Sequence, residues 1–159
     1  MGTVYSNESE SKFSGIIDFG EGHTGIGPAE INGEICTYGG CLSCEEERPL
    51  SCMHDLNLPI DEKNYPAEYK HMWSGGEIAF TKAIKGSSFE TEDDVNKFCA
   101  QEFGAGWRAA SRHDGHSGGY ISGIGEFPLN YDNVWVNVKT APHANCWKLR
   151  PSYEAVSAR

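Results

Sequence analysis

Four of the six cysteines in this 159-residue chain, Cys36, Cys41, Cys44 and Cys52, fall within one 17-residue stretch, with Cys99 and Cys146 far downstream. A cluster of that density constrains the fold, because neighbouring thiols either oxidise to one another or gather round an ion. In an oxidising compartment disulfides restrict the unfolded chain, each contributing about 2–4 kcal/mol, which suits a glycine-rich segment with a thin core. In a reducing compartment the same residues imply a metal. Cys36, Cys41 and Cys44 have the Cys-x4-Cys-x2-Cys spacing with which plant-type ferredoxins hold a [2Fe–2S] cluster, and with Cys52 they form a four-thiolate set for zinc. Two local disulfides are the expectation, and the pairing among these four stays open.

The 19 glycines and 7 prolines exclude long helical bundles, while 38% hydrophobic residues exclude a wholly disordered chain. No apolar run reaches the roughly 18–20 residues of a bilayer-spanning helix, so no membrane span is expected. The opening residues lack the layout of a secretory signal, so export implies a leader absent from this sequence. The sequon Asn7-Glu8-Ser9 is compatible with export. Localisation is therefore expected to be extracellular, at the cell surface or periplasmic.

Formal charge is −10, and residues 1–62 carry 12 acidic against 2 basic side chains while residues 63–159 carry 11 of each. A negative surface without a basic stripe repels phosphate backbones, so nucleic acid is excluded as an expected partner. Residues 1–62 contain 4 aromatics and no tryptophan, against 14 aromatics and all 4 tryptophans in 63–159. The division expected is an acidic, cysteine-clustered β/loop extension, 1–62, and an α+β domain, 63–159, with a soft boundary in the Pro-containing stretch 53–72.

Thr91-Glu92-Asp93-Asp94 has the form of a capping box, with Val95, Phe98, Cys99 and Phe103 following at helical spacing and Gly104 placed to end the turn. This predicts one main helix at about 91–103. Short runs of strand length surround it at 78–84, 107–110, 119–121, 134–138 and 146–149. Alternation puts Ile78, Phe80 and Ile84 on one face of their strand. It puts Val134, Val136 and Val138 opposite Trp135 and Asn137. Upstream, 14–19 and 29–36 read as edge strands, the second folded at Asn32-Gly33. The class expected is α+β, mostly short antiparallel strands with one helix.

The run from Cys99 to Arg108, Cys-Ala-Gln-Glu-Phe-Gly-Ala-Gly-Trp-Arg, followed by Trp135-Val136-Asn137 and Asn145-Cys146-Trp147, resembles the C-type-lectin-like fold of bacterial surface and secreted proteins. The resemblance covers about 77–150, in a reduced form with short loops. It implies a Cys99–Cys146 disulfide joining helix to last strand, and an irregular loop region that binds ligands. From the residues alone, Cys99 beside Phe98 and Phe103 is either half of such a bond or an unconnected core cysteine. The family's calcium-and-sugar triplet is not carried over, since Glu126-Phe127-Pro128-Leu129-Asn130 has apolar residues on both sides of its proline.

Ligand contacts are expected from the 112–133 region: His113, Asp114, His116, Tyr120, Glu126, Tyr131 and Asp132. Two imidazoles and a carboxylate in four residues can hold zinc. Asp114, Glu126, Asn130, Asp132 and Asn133 supply oxygen enough for calcium. Both ions are candidates, beside a purely polar loop. Trp73, Trp107, Trp135 and Trp147 read as core, or as platforms for sugar rings if exposed. Gly22-His23-Thr24-Gly25 and Gly123-Ile124-Gly125 read as turns, because neither has the strand-then-helix setting of a nucleotide site. No nucleophile elbow or phosphate loop is present. The function expected is non-catalytic binding of a protein or glycan, with a metalloprotein and a self-associating structural subunit as alternatives.

Overall fold

The computed structural model describes residues 22–27, 43–60, 71–116, 121–126, 134–139 and 144–149, together with the strand backbones at 3–6, 16–20, 29–31, 34–36 and 133. The described strands are β1 (Thr3–Ser6), β2 (Ile16–Gly20), β3 (His23–Ile26), β4 (Ala29–Ile31), β5 (Glu34–Cys36), β6 (Glu47–Asp55), β7 (Trp73–Lys85), β8 (Trp107–Ala109), β9 (Ile121–Ile124) and β10 (Asn133–Val136). One helix, α1 (Glu92–Phe103), lies between β7 and β8, so the class is α+β with a strand-rich sheet. Eight strands form a sheet in the order β1-β10-β6-β7-β9-β3-β2, with β8 also paired to β6. β4 and β5 pair separately and antiparallel, Ile31 opposite Glu34, and the expected turn at Asn32-Gly33 lies outside the described residues.

The long hairpin of β6 and β7 forms the centre, paired from Glu47 opposite Lys85 to Asp55 opposite Gly76. β10 and β8 share the other edge of β6, with Trp135 opposite Leu50 and Cys52 opposite Ala109. Two contacts are parallel, β10 with β6 and β7 with β9, so the sheet is mixed. Strands from before residue 62 are thus interleaved with strands from after it: β1 pairs β10, β3 pairs β9, and β6 lies between β10 and β7. The expected boundary after residue 62 falls inside one sheet, and Met53–Asp55 of the expected connector belongs to β6.

β6 escapes a reading by pattern because Pro49 sits inside it. A proline donates no ladder hydrogen bond and is tolerated in a sheet where the register breaks. The break is here: Pro49 faces Ala83 while Ser51 faces Phe80, one extra residue on β7. The bulge residue Thr81 repairs the ladder, its hydroxyl accepting from Leu50 N at 3.0 Å and donating to the Lys82 carbonyl at 2.7 Å. The extra residue also reverses the facing of the rest of β7. Ile78 and Phe80 pack with one core, but Ile84 packs with the other, which corrects the single face expected for all three.

The helix side of the sheet buries Leu50, Cys52, Phe89, Val95, Cys99, Ala109, Trp135 and Trp147. The opposite side buries Ile26, Met53, Ile78, Ala110, Ile121, Val134 and Val136. α1 starts as expected: Thr91 Oγ1 accepts from Asp94 N at 3.3 Å, and Asp94 Oδ2 accepts from Thr91 N at 3.1 Å. These Thr91 bonds, with help from Glu90 and Lys97, hold the Asp94 carboxyl below its ordinary value against a small opposing effect of burial. Gly104 ends the helix at φ 117°, in the left-handed region glycine favours.

The disulfides correct two expectations. Cys52 of β6 bonds Cys99 of α1, and Cys44 bonds Cys146, with Cα separations of 5.7 Å in each case. Cys99 is therefore not joined to Cys146. The centre of the sheet lies under the helix, so the cysteine that Cys99 meets is the one on β6. Residues 146–149 form no strand, contributing a single bridge between Thr91 and Lys148. The cluster does not pair locally at Cys44 or Cys52, and with both sulfurs in disulfides the four-thiolate zinc or iron–sulfur set is not formed. The Cys41 residue and the Cys36 side chain lie outside the described residues.

Candidate functional site

β8 is three residues long, yet its alternation sorts chemistry onto both faces. Arg108 stands opposite Met53 on the aliphatic side, and Trp107 stands opposite His54 on the helix side. On the aliphatic side the Arg108 guanidinium makes a two-pronged contact with Asp114, Nη1 to Oδ2 at 3.0 Å and Nη2 to Oδ1 at 2.9 Å. Nη2 also reaches Asp55 Oδ2 at 3.0 Å, Asp55 being two residues beyond Met53 and so on the same face. Burial by itself would lower the Arg108 pKa, but the two carboxylates outweigh it and raise the value above normal. The cation is permanent.

This fork fixes the turn after β8. Asp114 accepts a further bond from Ser111 N, while Asp114 N donates to the Ser111 carbonyl at 2.9 Å. Arg112 N donates to the Asn137 carbonyl at 2.9 Å, and His116 N to the His71 carbonyl at 2.7 Å. Residues 111–116 are thus fastened at their base and at both ends, with the His113 and His116 residues exposed. Asn137 anchors a second network: its side chain donates to Glu92 at 3.1 Å and accepts from Trp147 Nε1 at 3.1 Å. The Asn145 amide clamps both backbone groups of Val138.

On the helix side, His54 stacks on Trp107 with ring centroids 5.3 Å apart, and its Nδ1 lies 3.3 Å from Glu77 Oε1. Gly106, at φ +91°, lies against the imidazole; a Cβ there would come within 3.0 Å of Nε2. Phe103 tilts against the same indole at 5.1 Å. Trp107 is the one partly exposed tryptophan among the four, Trp73, Trp135 and Trp147 being buried.

Of the residues expected to contact a ligand, His113 and His116 lie exposed on the fastened turn, and Asp114 is turned inward. Asp114 does not fit a calcium set, because its oxygens already accept from Arg108 and a fixed guanidinium beside them repels a cation. Among the described residues no group of three His, Cys, Asp or Glu is arranged to hold a metal ion. Glu126 is exposed beyond β9, separated from β8 in the sheet by β6 and β7. Tyr120, Tyr131 and Asp132 lie outside the described residues, as do Asn130 and the side chain of Asn133. Sequence reading missed Arg108, Asp55, His54 and Glu77 as a set. The signal was the period of two in Met53-His54-Asp55 and Trp107-Arg108, legible once both are taken as paired strands. The two glycine patterns are largely strand, with Thr24 opposite Gly123 in the β3–β9 ladder, and only Gly22 lies in a turn as expected.

No family model matches this chain, and no curated protein or solved structure matches it either. Among the described residues no helix is long and apolar enough to cross a membrane.

Proposed function

We propose that this chain is a non-catalytic binding module of reduced C-type-lectin-like type, working outside the cell, at its surface or in the periplasm, on a protein or glycan. The observation that carries the reading is the 111–116 turn, whose buried base is locked by Arg108 and Asp114 while His113 and His116 face outward. Binding side chains on a rigid base lose little entropy on capture, which is what this fastened turn offers a ligand. Two disulfides across the sheet and helix agree with an oxidising environment. The ligand contacts are then His113 and His116, with Tyr120, Glu126, Tyr131 and Asp132 as further candidates from the 112–133 region. Calcium or zinc would bind this surface only through residues other than Asp114.

A glycan array probed with the whole protein, with and without chelator, tests this directly. Binding to a defined glycan class that falls at least about tenfold in His113→Ala/His116→Ala, with thermal stability kept, supports the reading. An array without binding, or binding indifferent to both substitutions, sinks it. A second reading, a self-associating structural subunit, has one observation in its favour: β1 and β2 end the strand order and each leaves one side unpaired among the described strands. Concentration-dependent light scattering separates it from the first.

A further inference from the structure

The two disulfides among the described residues differ in how a reagent reaches them. Cys52 and Cys99 have no solvent exposure and sit inside the helix-side core. Cys44 and Cys146 are partly exposed, and their surroundings are unequal: Ser43, Glu45 and Glu46 beside Cys44 are exposed, whereas Asn145 and Trp147 beside Cys146 are buried. Gly86 packs against Cys146, so close that a Cβ there would come within 2.6 Å of the sulfur, and Trp135 packs on the same glycine, 3.3 Å from that Cβ. A nucleophile attacks a disulfide in line with the bond, from behind the sulfur it joins. Cys146 is thus the more crowded end of the bond, and Cys44, between exposed neighbours, is the end we take a thiol to reach first.

The segment around Cys146 is also held without the disulfide. Lys148 N donates to the Glu90 carbonyl and Glu92 N to the Lys148 carbonyl, at 2.9 and 2.8 Å. Trp147 is tied to Asn137, and Asn145 clamps Val138. On the other side, Ser87 N holds the Cys44 carbonyl at 2.9 Å. Opening this one bond therefore leaves both of its ends in place.

We propose that Cys44–Cys146 is a thiol–disulfide exchange site that takes a small thiol at Cys44 while the fold stays intact. The incoming thiolate bonds to Cys44 Sγ as the Cys44–Cys146 bond breaks. The electron pair leaves on Cys146 Sγ, which takes a proton from water. A second thiol then attacks the mixed disulfide and releases Cys44, so two external thiols become one external disulfide and the protein gains two. Glu45, Glu46 and Glu47 come directly after Cys44, with Lys85 3.7 Å from Glu45 and Arg48 3.6 Å from Glu46. Three acids against two bases on a chain of charge −10 favour a cationic thiol over an anionic one.

The test exposes the full chain to limiting cysteamine or glutathione at equal thiolate concentration, quenches with acid, alkylates and maps the modified cysteines by mass spectrometry. The expected first product carries cysteamine on Cys44. Cys52 and Cys99 should react at least about tenfold more slowly, because their sulfurs become reachable only when the protein opens. Glutathione should be slower than cysteamine, with the difference shrinking as salt rises. Near-ultraviolet circular dichroism should survive the first step, and Cys44→Ala/Cys146→Ala should fold and lack the fast reaction. A first adduct on Cys146, equal rates for both disulfides, no preference between the two thiols, or a double variant that fails to fold would each overturn the proposal.

Discussion

On the helix side of the sheet, Phe89 meets Phe98 and Trp147 edge-on at 5.4 and 6.0 Å, and the Cys52–Cys99 bond runs through the same core. On the other side, Ile26, Met53, Ile78, Ile121, Val134 and Val136 form an aliphatic layer that neither described disulfide enters. That layer ends in close backbone contact, since a Cβ on Gly125 would lie 2.0 Å from the Ile78 carbonyl oxygen and one on Gly123 would lie 2.7 Å from that of Gly76. One face gains stability by restricting the unfolded chain, the other by filling space in the folded one. They should respond differently to the same amount of damage.

Between the two faces, the largest effect is expected from Cys52→Ala/Cys99→Ala. Releasing a loop of 47 residues frees unfolded-chain entropy worth about 4 kcal/mol, read as a lower urea midpoint with a larger dependence on denaturant. An unchanged dependence would mean the helix-side core acts by packing alone, and the contrast between faces would fail. Next comes Ile78→Ala on the aliphatic face, about 3 kcal/mol from lost burial and the cavity left behind, with the denaturant dependence unchanged. Gly125→Ala should cost about 1–3 kcal/mol and should not be rescued by Ile78→Ala, because the clash is with a backbone oxygen. Rescue in that double variant would show that side-chain crowding governs the contact.

Asp114→Asn should cost about 1–3 kcal/mol by weakening the Arg108 fork, and hydrogen exchange should accelerate at 111–116 before the rest of β8. The smallest effect belongs to the helix start. Thr91→Ala should cost about 1 kcal/mol. Asp94, whose folded pKa is depressed, contributes stability that is fully present above its ordinary 3.8 and lost as pH falls through the lower folded value. The acid decline in stability between pH 5 and pH 2 should therefore be shallower in Asp94→Asn than in the parent.

The helix was legible because its signals are local: Thr91 and Asp94 are three residues apart, and Val95 and Cys99 four. The strands at 78–84 and 134–138 were legible through alternation, and 107–110 through its length. β6 was not, since Pro49 and its polar neighbours argue against a central strand and the compensating bulge belongs to another segment, at Thr81. The bulge also hid the facing of Ile84. Disulfide pairing was illegible because it depends on strand order, and Cys52 meets Cys99 only once β6 is known to lie beneath the helix. Of the candidate site, the residues on display, His113 and His116, were visible as a polar turn. Asp114 looked like their equal until Arg108, six residues before it, claimed its carboxylate.

The interleaving of early and late strands bears on how the chain matures. β1 and β3 emerge from a ribosome long before their partners β10 and β9 exist, and their unpaired edges must wait, open to wrong neighbours, for more than 90 further residues. Oxidation has a built-in order as well: Cys52 meets its mate 47 residues later, at Cys99, while Cys44 has no correct mate until Cys146 appears, 102 residues on. During that interval Cys44 is, among these four cysteines, the thiol exposed longest to a wrong partner.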